Sequence, residues 1–316
     1  MKKLTTLLMA CFLCYFTMGA CNTTQSSQKN IEKLETTVLL DKFEQQLNNK
    51  KNAILFSVGV YQDGEIQTRL FGKNNACQNA YSLAKTFIVT AIGLLVDKNL
   101  LSVNERLVDI LADQLPKTYN EVWKNTTVEM LLLHNVGLEE GCLDIDVNNA
   151  TDFGEDYLSY VLNAPINKNF SPETYSYTDA SYYLLSRIIE VKSGMKTDDF
   201  LWKYLFYPIG CREVAWSSCP QGHVIGATGL YIRIEDLVKH GSIYLNGGTY
   251  KNKRILSQSW VDTVFAKGYE FKTYDNGVTF EKGGMNGQSV VIVPHLNRVV
   301  AWLGYGENDF KNLTTQ

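Results

Sequence analysis

Three serines in this chain are followed three positions later by a lysine: Ser26/Lys29, Ser193/Lys196 and Ser82/Lys85. On a helix, residues three apart share a face, so such a lysine reaches its serine. A lysine held there in neutral form can take the serine's proton and make it a nucleophile. Context separates the three pairs. Ser26 and Lys29 lie in a polar run, Asn22 to Asn30, and Ser193 and Lys196 straddle Gly194 at the expected end of a helix. Ser82 opens SLAKTFIVTAIGLLVDK over 82–98, apolar almost all round, which reads as a buried central helix. At a helix N-terminus the amides lack partners and the dipole favours negative charge. The Ser82 N–H is therefore also a candidate donor to an oxyanion. Stripped of its surroundings, the pair would be an N-cap serine followed by a solvated lysine.

Two further clusters carry usable groups. Tyr177-Thr178-Asp179 sits in a turn that feeds Ala180-Ser181-Tyr182-Tyr183-Leu184-Leu185. It can present a phenol and a carboxylate together, and a phenol shuttles protons when cations stand near it. Lys282-Gly283-Gly284-Met285 offers a second cation and backbone that a ligand can approach closely. Taken alone, the first reads as a cap with aromatic packing and the second as a turn with a solvated lysine.

Other chemistries lack their residues. No H-E-x-x-H is present, and His134, His223, His240 and His295 are scattered singly, so no zinc site is expected. Walker A, G-x-G-x-x-G and G-x-S-x-G patterns are also missing, which argues against nucleotide binding and the α/β-hydrolase elbow.

The elements that must position these groups follow from periodicity and turn residues. A helix is predicted over 31–49, and strands over 53–61 and 65–71 around the Asp63-Gly64 turn. Residues from about 100 to 222 read as helical and loop-rich with no convincing sheet, with helices over 104–112, 127–133, 179–193 and 197–206. Helices over 233–246 and 257–265 follow, then strands over 278–281, 288–293 and 298–303. Strands at both ends most economically pair into one antiparallel sheet, with the helical middle as an insertion. The fold class is α/β (α+β), and the cleft between the lobes is the expected place for a site.

The first residues are an address. Lys2 and Lys3 precede an apolar stretch from Leu7 to Phe16, then Gly19, Ala20 and Cys21. This reads as a secretory signal over 1–20. Cys21 after Gly-Ala resembles a bacterial lipobox, in which it becomes the lipidated first residue. Residues 21–50 then form a tether and N-terminal helix, and 51–316 the main domain. The expected location is the bacterial cell envelope, with membrane contact through the lipid alone. Cys11 and Cys14 fall inside the removed segment. Of the remaining Cys77, Cys142, Cys211 and Cys219, the pair Cys211/Cys219 flanks a short loop and is the first choice for a bridge, with free thiols the alternative.

Over 316 residues, 45% hydrophobic and 20% charged, the composition is that of a globular chain with room for a large core. Its net charge of -3, with no basic stripe, excludes non-specific nucleic-acid binding.

Together the three clusters resemble the serine β-lactamase and penicillin-binding protein superfamily in order and spacing. Further stretches agree. Thr127 to Leu138 resembles its LLTHTSGL segment, and Gly226-Ala227-Thr228-Gly229-Leu230-Tyr231 with Glu235-Asp236-Leu237 resembles GAGGLYSTAEDL. Leu245-Asn246-Gly247-Gly248 with Arg254-Ile255-Leu256-Ser257 fits as well. The likeness runs over about 50–305 and lies nearest the class C-like branch of carboxylesterases, amidases and D,D-carboxypeptidases.

The resemblance implies an antiparallel sheet flanked by helices with an inserted helical lobe, and no cofactor. It implies Ser82 as acylated nucleophile, Lys85 as base, Tyr177 as proton relay, and Lys282 as a group that tunes the site or binds a carboxylate. The amides of Ser82 and Met285 would form the oxyanion hole, with Asp179, Gly283 and Gly284 facing substrate. Asp179 stands where the family has Asn, and Gly283 where it has Thr or Ser. The missing hydroxyl turns the expectation from β-lactams toward esters or amides. The family's long C-terminal helix is expected to be short or missing. The competing readings are a D,D-peptidase and a non-catalytic cell-wall ligand sensor of the same fold.

Overall fold

The Asp-Gly pair adopts the turn its residue types allow. In the computed structural model Asp63 (φ 53°) and Gly64 (φ 96°) are both left-handed, as a two-residue type I′ hairpin requires. The turn joins β1 (Ala53–Gln62) to β2 (Glu65–Leu70), with Gln62 opposite Glu65. The structure describes residues 34–72, 75–274, 277–306 and 310–316. The expected signal, Cys21, the polar tether and Ser26/Lys29 lie outside the described residues.

Helix α1 (Thr36–Asn48) precedes the hairpin. After it come β3 (Cys77–Asn79) and a 3₁₀ turn, Tyr81–Leu83, that runs into α2 (Ala84–Asp97). The middle holds α3 (Leu107–Ile110), α4 (Val128–Leu132), α5 (Tyr157–Asn163), α6 (Asp179–Ser193) and α7 (Thr197–Leu201). Next are β4 (Val214–Trp216), β5 (Leu230–Arg233), α8 (Ile234–Leu245) and a small hairpin of β6 (Thr249–Tyr250) and β7 (Lys253–Arg254). The chain continues through α9 (Gln258–Lys267), β8 (Lys272–Tyr274), β9 (Thr279–Gly283), β10 (Ser289–Val293), β11 (Arg298–Gly306) and α10 (Lys311–Thr314).

The early and late strands do pair. The main sheet runs β2-β1-β11-β10-β9-β8, and its mapped pairs are antiparallel. β11 lies beside β1 with Val58 opposite Trp302 and Val60 opposite Val300. Successive side chains of β10 separate onto two faces, as the pleat demands. Val291 and Val293 join Leu39, Leu40 and Phe43 of α1. Val290 and Ile292 join Leu237 and Val238 of α8 in the larger core, which also holds α2 and α6. Both faces are covered, which explains why 290–293 reads as an unbroken apolar run.

Three expectations need correction. The segment 100–222 is not free of sheet: β4 pairs with β5, and β5 with β3, in a second three-stranded sheet. Cys211 and Cys219 do not bridge. All four thiols in the described residues are free; Cys219 lies against the Tyr183 hydroxyl, 3.8 Å away, while Cys211 is half-buried near Asp236, and burial pushes its thiol up. The central helix starts at Ala84, so Ser82 belongs to the 3₁₀ turn before it. The helix after β11 is short, four residues.

Candidate active site

Ser82 is presented by a strained turn. Tyr81 has φ 47°, a left-handed conformation costly for a non-glycine residue and often found at functional sites. Its amide donates to Asn79 Oδ1 at 2.9 Å, fixing the exit from β3. The helical register then brings Lys85 back onto Ser82, Nζ to Oγ 3.2 Å. Lys85 is fully buried. Its other partners are Asp179 Oδ1 at 2.7 Å and the Ala227 carbonyl at 3.0 Å.

Helix α6 delivers the second cluster. Thr178 caps it by accepting from the Ala180 amide at 3.2 Å and donates its own hydroxyl to the Cys142 carbonyl at 2.7 Å. With that residue pinned on both sides, Tyr177 OH stands 2.9 Å from Ser82 Oγ, and Asp179 turns inward to Lys85, only 6% exposed. The end of β9 brings the third cluster, with Lys282 Nζ 3.4 Å from Tyr177 OH. The two ammonium groups lie 4.8 and 5.0 Å from the centre of the Tyr177 ring. Residues separated by up to two hundred positions thus converge on one hydroxyl.

The glycines after Lys282 differ in surroundings. A Cβ on Gly284 would stand 2.7 Å from Gln288 Oε1 and 3.4 Å from the Ala80 carbonyl, beside the Ser82 turn. A Cβ on Gly283 would meet only the Gln288 carbonyl, at 3.8 Å. The missing hydroxyl at 283 is therefore not imposed by lack of room. Met285 is exposed at the mouth of this loop.

Two residues outside the three clusters complete the site. Glu270, 4% exposed, pairs with Lys282 through one carboxylate oxygen and accepts from His134 Nε2 at 2.8 Å with the other. His134 Nδ1 accepts the Thr178 amide at 3.3 Å, so the ring carries its proton on Nε2. Burial keeps His134 below its ordinary value and hence neutral near pH 7. His134 lies in the 127–138 stretch quoted above. Glu270 belongs to no motif; its one signal was a carboxylate between Tyr269 and Phe271, a setting that calls for a buried partner.

The charges form two buried pairs. Burial pushes Lys85 down, but Asp179, Tyr177 and Glu270 outweigh it and hold Lys85 above the usual lysine range. Burial likewise opposes Lys282, and Glu270 outweighs it. Glu270 is raised by burial but brought well below the carboxylate range by Lys282 and His134. Asp144, Asp146 and Asp179 converge nearby, one oxygen of each within 4.8 Å of the others. The Lys85 ammonium already holds the Asp179 end, and the Thr228 hydroxyl donates to Asp146.

This constellation can activate a hydroxyl, move its proton to a phenol and compensate developing charge with two cations. The Beta-lactamase family profile matches residues 40–311. The chain belongs to that family. Penicillin-binding protein 4 of Amycolatopsis lactamdurans is 32% identical over 135 residues, 42% of this chain and 34% of that protein. The 6-aminohexanoate-dimer hydrolase of Paenarthrobacter ureafaciens is 20% identical over 207 residues, 63% of this chain and 53% of that protein. The matches thus span about a third to a half of these relatives' lengths. A solved family VIII carboxylesterase superposes with TM-score 0.65 at 16% identity, covering 85% of this chain and 91% of that one. The antiparallel sheet with helices is the β-lactamase/transpeptidase fold, and hydrolases are its neighbours in sequence and structure.

Proposed function

We propose that this beta-lactamase-family protein is a serine hydrolase that cleaves an ester or amide through an acyl-enzyme on Ser82. The observation that carries this reading is the position of Ser82 Oγ between Lys85 Nζ at 3.2 Å and Tyr177 OH at 2.9 Å. In acylation Ser82 Oγ bonds to the carbonyl carbon, and its proton leaves to the Lys85–Tyr177 pair. The bond to the leaving alcohol or amine breaks, and that group takes the proton. Water then cleaves the acyl-enzyme by the reverse proton path. Asp179 biases the shared proton toward Lys85, so Tyr177 is the group that accepts from Ser82 and donates to the leaving group. The Ser82 and Met285 amides are the oxyanion donors, and Lys282 compensates charge on Tyr177. The carboxylesterase and amide-hydrolase relatives support this reaction class. No cofactor enters the scheme.

Ser82→Ala abolishes hydrolysis of an activated ester in this account, and Tyr177→Phe lowers kcat/KM by about 10²–10⁴-fold. Undiminished turnover in both variants contradicts it.

We further propose that the chain is exported and held at the bacterial envelope by lipid on Cys21. The support is the basic start, the apolar stretch and Gly19-Ala20 before Cys21.

A further inference from the structure

Of the two ammonium groups beside Tyr177 and Ser82, Lys282 is the less buried, and a carboxylate already pairs with it. Glu270 pairs with it directly, and the acid is anchored from behind by the His134 N–H. Lys85, the other ammonium beside Ser82, is paired with Asp179. His134 is neutral. Two ammonium groups therefore face two carboxylates, and Asp144 and Asp146 lie on the same side as Asp179. Within these two pairs the positive charges are matched by negative ones, so neither ammonium offers an uncompensated charge to an anion. At position 283, where a hydroxyl could join Lys282 in holding a carboxylate, the side chain is absent although a Cβ has room.

We propose that Glu270 is a specificity-determining residue that turns the site away from carboxylate-bearing substrates and toward esters or amides uncharged on the leaving-group side. The inference rests on the serine-hydrolase reading above and adds the substrate class. A substrate carboxylate that approaches Lys282 meets the Glu270 carboxylate behind it, so attraction and repulsion nearly cancel. A neutral substrate loses nothing by this arrangement. Selectivity here comes from a built-in repulsive partner as much as from any attraction. Two features fit that role and no simple packing role. The acid is almost fully buried, and it adopts φ 62°, a left-handed conformation unusual for glutamate. Such a group is retained at a cost, with both its oxygens committed to the site.

The test uses a matched pair of acetyl esters, 3-acetoxybenzoate and its uncharged methyl ester. Both give the same acetyl-Ser82 adduct and differ only in a leaving-group carboxylate. Wild-type kcat/KM is expected to favour the methyl ester by about tenfold or more. In Glu270→Gln, which can keep a contact to His134 but not the charge, the ratio should shift toward the carboxylate ester by about tenfold. Glu270→Asp should retain the wild-type ratio. General damage to the site lowers both rates and leaves the ratio alone. An unchanged ratio in Glu270→Gln, or a wild type that prefers the carboxylate ester, overturns the inference while acetyl-Ser82 still forms. Absence of acetyl-Ser82 with both esters overturns the hydrolase reading and this inference with it. If Glu270→Gln does not fold, the wild-type preference decides.

Discussion

The Lys85–Asp179 pair sets the protonation of the site. Family members with Asn at this position hold the lysine without adding charge, whereas Asp179 lies 2.7 Å from Lys85 Nζ and keeps the ammonium form above its ordinary range. A charged Lys85 cannot take the Ser82 proton, so activity requires that the Lys85–Tyr177 pair first lose a proton. Asp179 raises the pair's hold on that proton, which displaces the acidic limb of the rate profile upward. Asp179→Asn removes the anion, burial then pushes Lys85 down, and the limb moves to lower pH. kcat/KM against pH for one activated ester measures it; a limb that stays or moves up contradicts the argument. The residues of this network were legible as candidates from the Ser82/Lys85 spacing and the turn at 177–179, and the family resemblance supplied their expected roles. Glu270 was not. Its partners are 136 residues before it and 12 after it, and it reaches them from a left-handed turn with no periodic signal.

Helix α2, which carries Lys85, seats its far end closely against α9. A Cβ on Gly93 would stand 2.2 Å from Nε1 of Trp260, itself 4% exposed. Gly93→Ala is therefore expected to cost about 1–3 kcal/mol by overpacking. Urea unfolding followed by circular dichroism reads it as a lower midpoint; an unchanged midpoint contradicts the close approach. The long elements were readable from the sequence because one side of each is continuously apolar. The second sheet was not, since β3 and β4 have three residues each and β5 four, too few for alternation to show. β3 meets β5 from the other side of the helical middle, a long-range pairing that no local pattern records.

At the scale of the molecule, the order strand, helices, strand was enough to anticipate one antiparallel sheet of early and late strands; the structure places β11 beside β1 in it. That pairing joins the early and late strands in one sheet, and the site lies where β9 meets the entry to α2. Among the described residues no helix is long and apolar enough to cross a membrane. The proposed anchor is instead covalent lipid at Cys21. Cys21→Ser is expected to move the protein from the membrane fraction to the soluble fraction in a bacterial host, with a changed N-terminus on the mature chain. A variant that stays in the membrane fraction with the same N-terminus contradicts the anchor.

The central claim is that Ser82 forms an acyl-enzyme-type bond. Its most direct measurement is the intact mass of the folded protein after exposure to a fluorophosphonate, wild type beside Ser82→Ala, with peptide mapping of the adduct. The account predicts one stoichiometric adduct on Ser82 in the wild type and none in the variant. An unmodified wild type, or an equal adduct in Ser82→Ala, would contradict it.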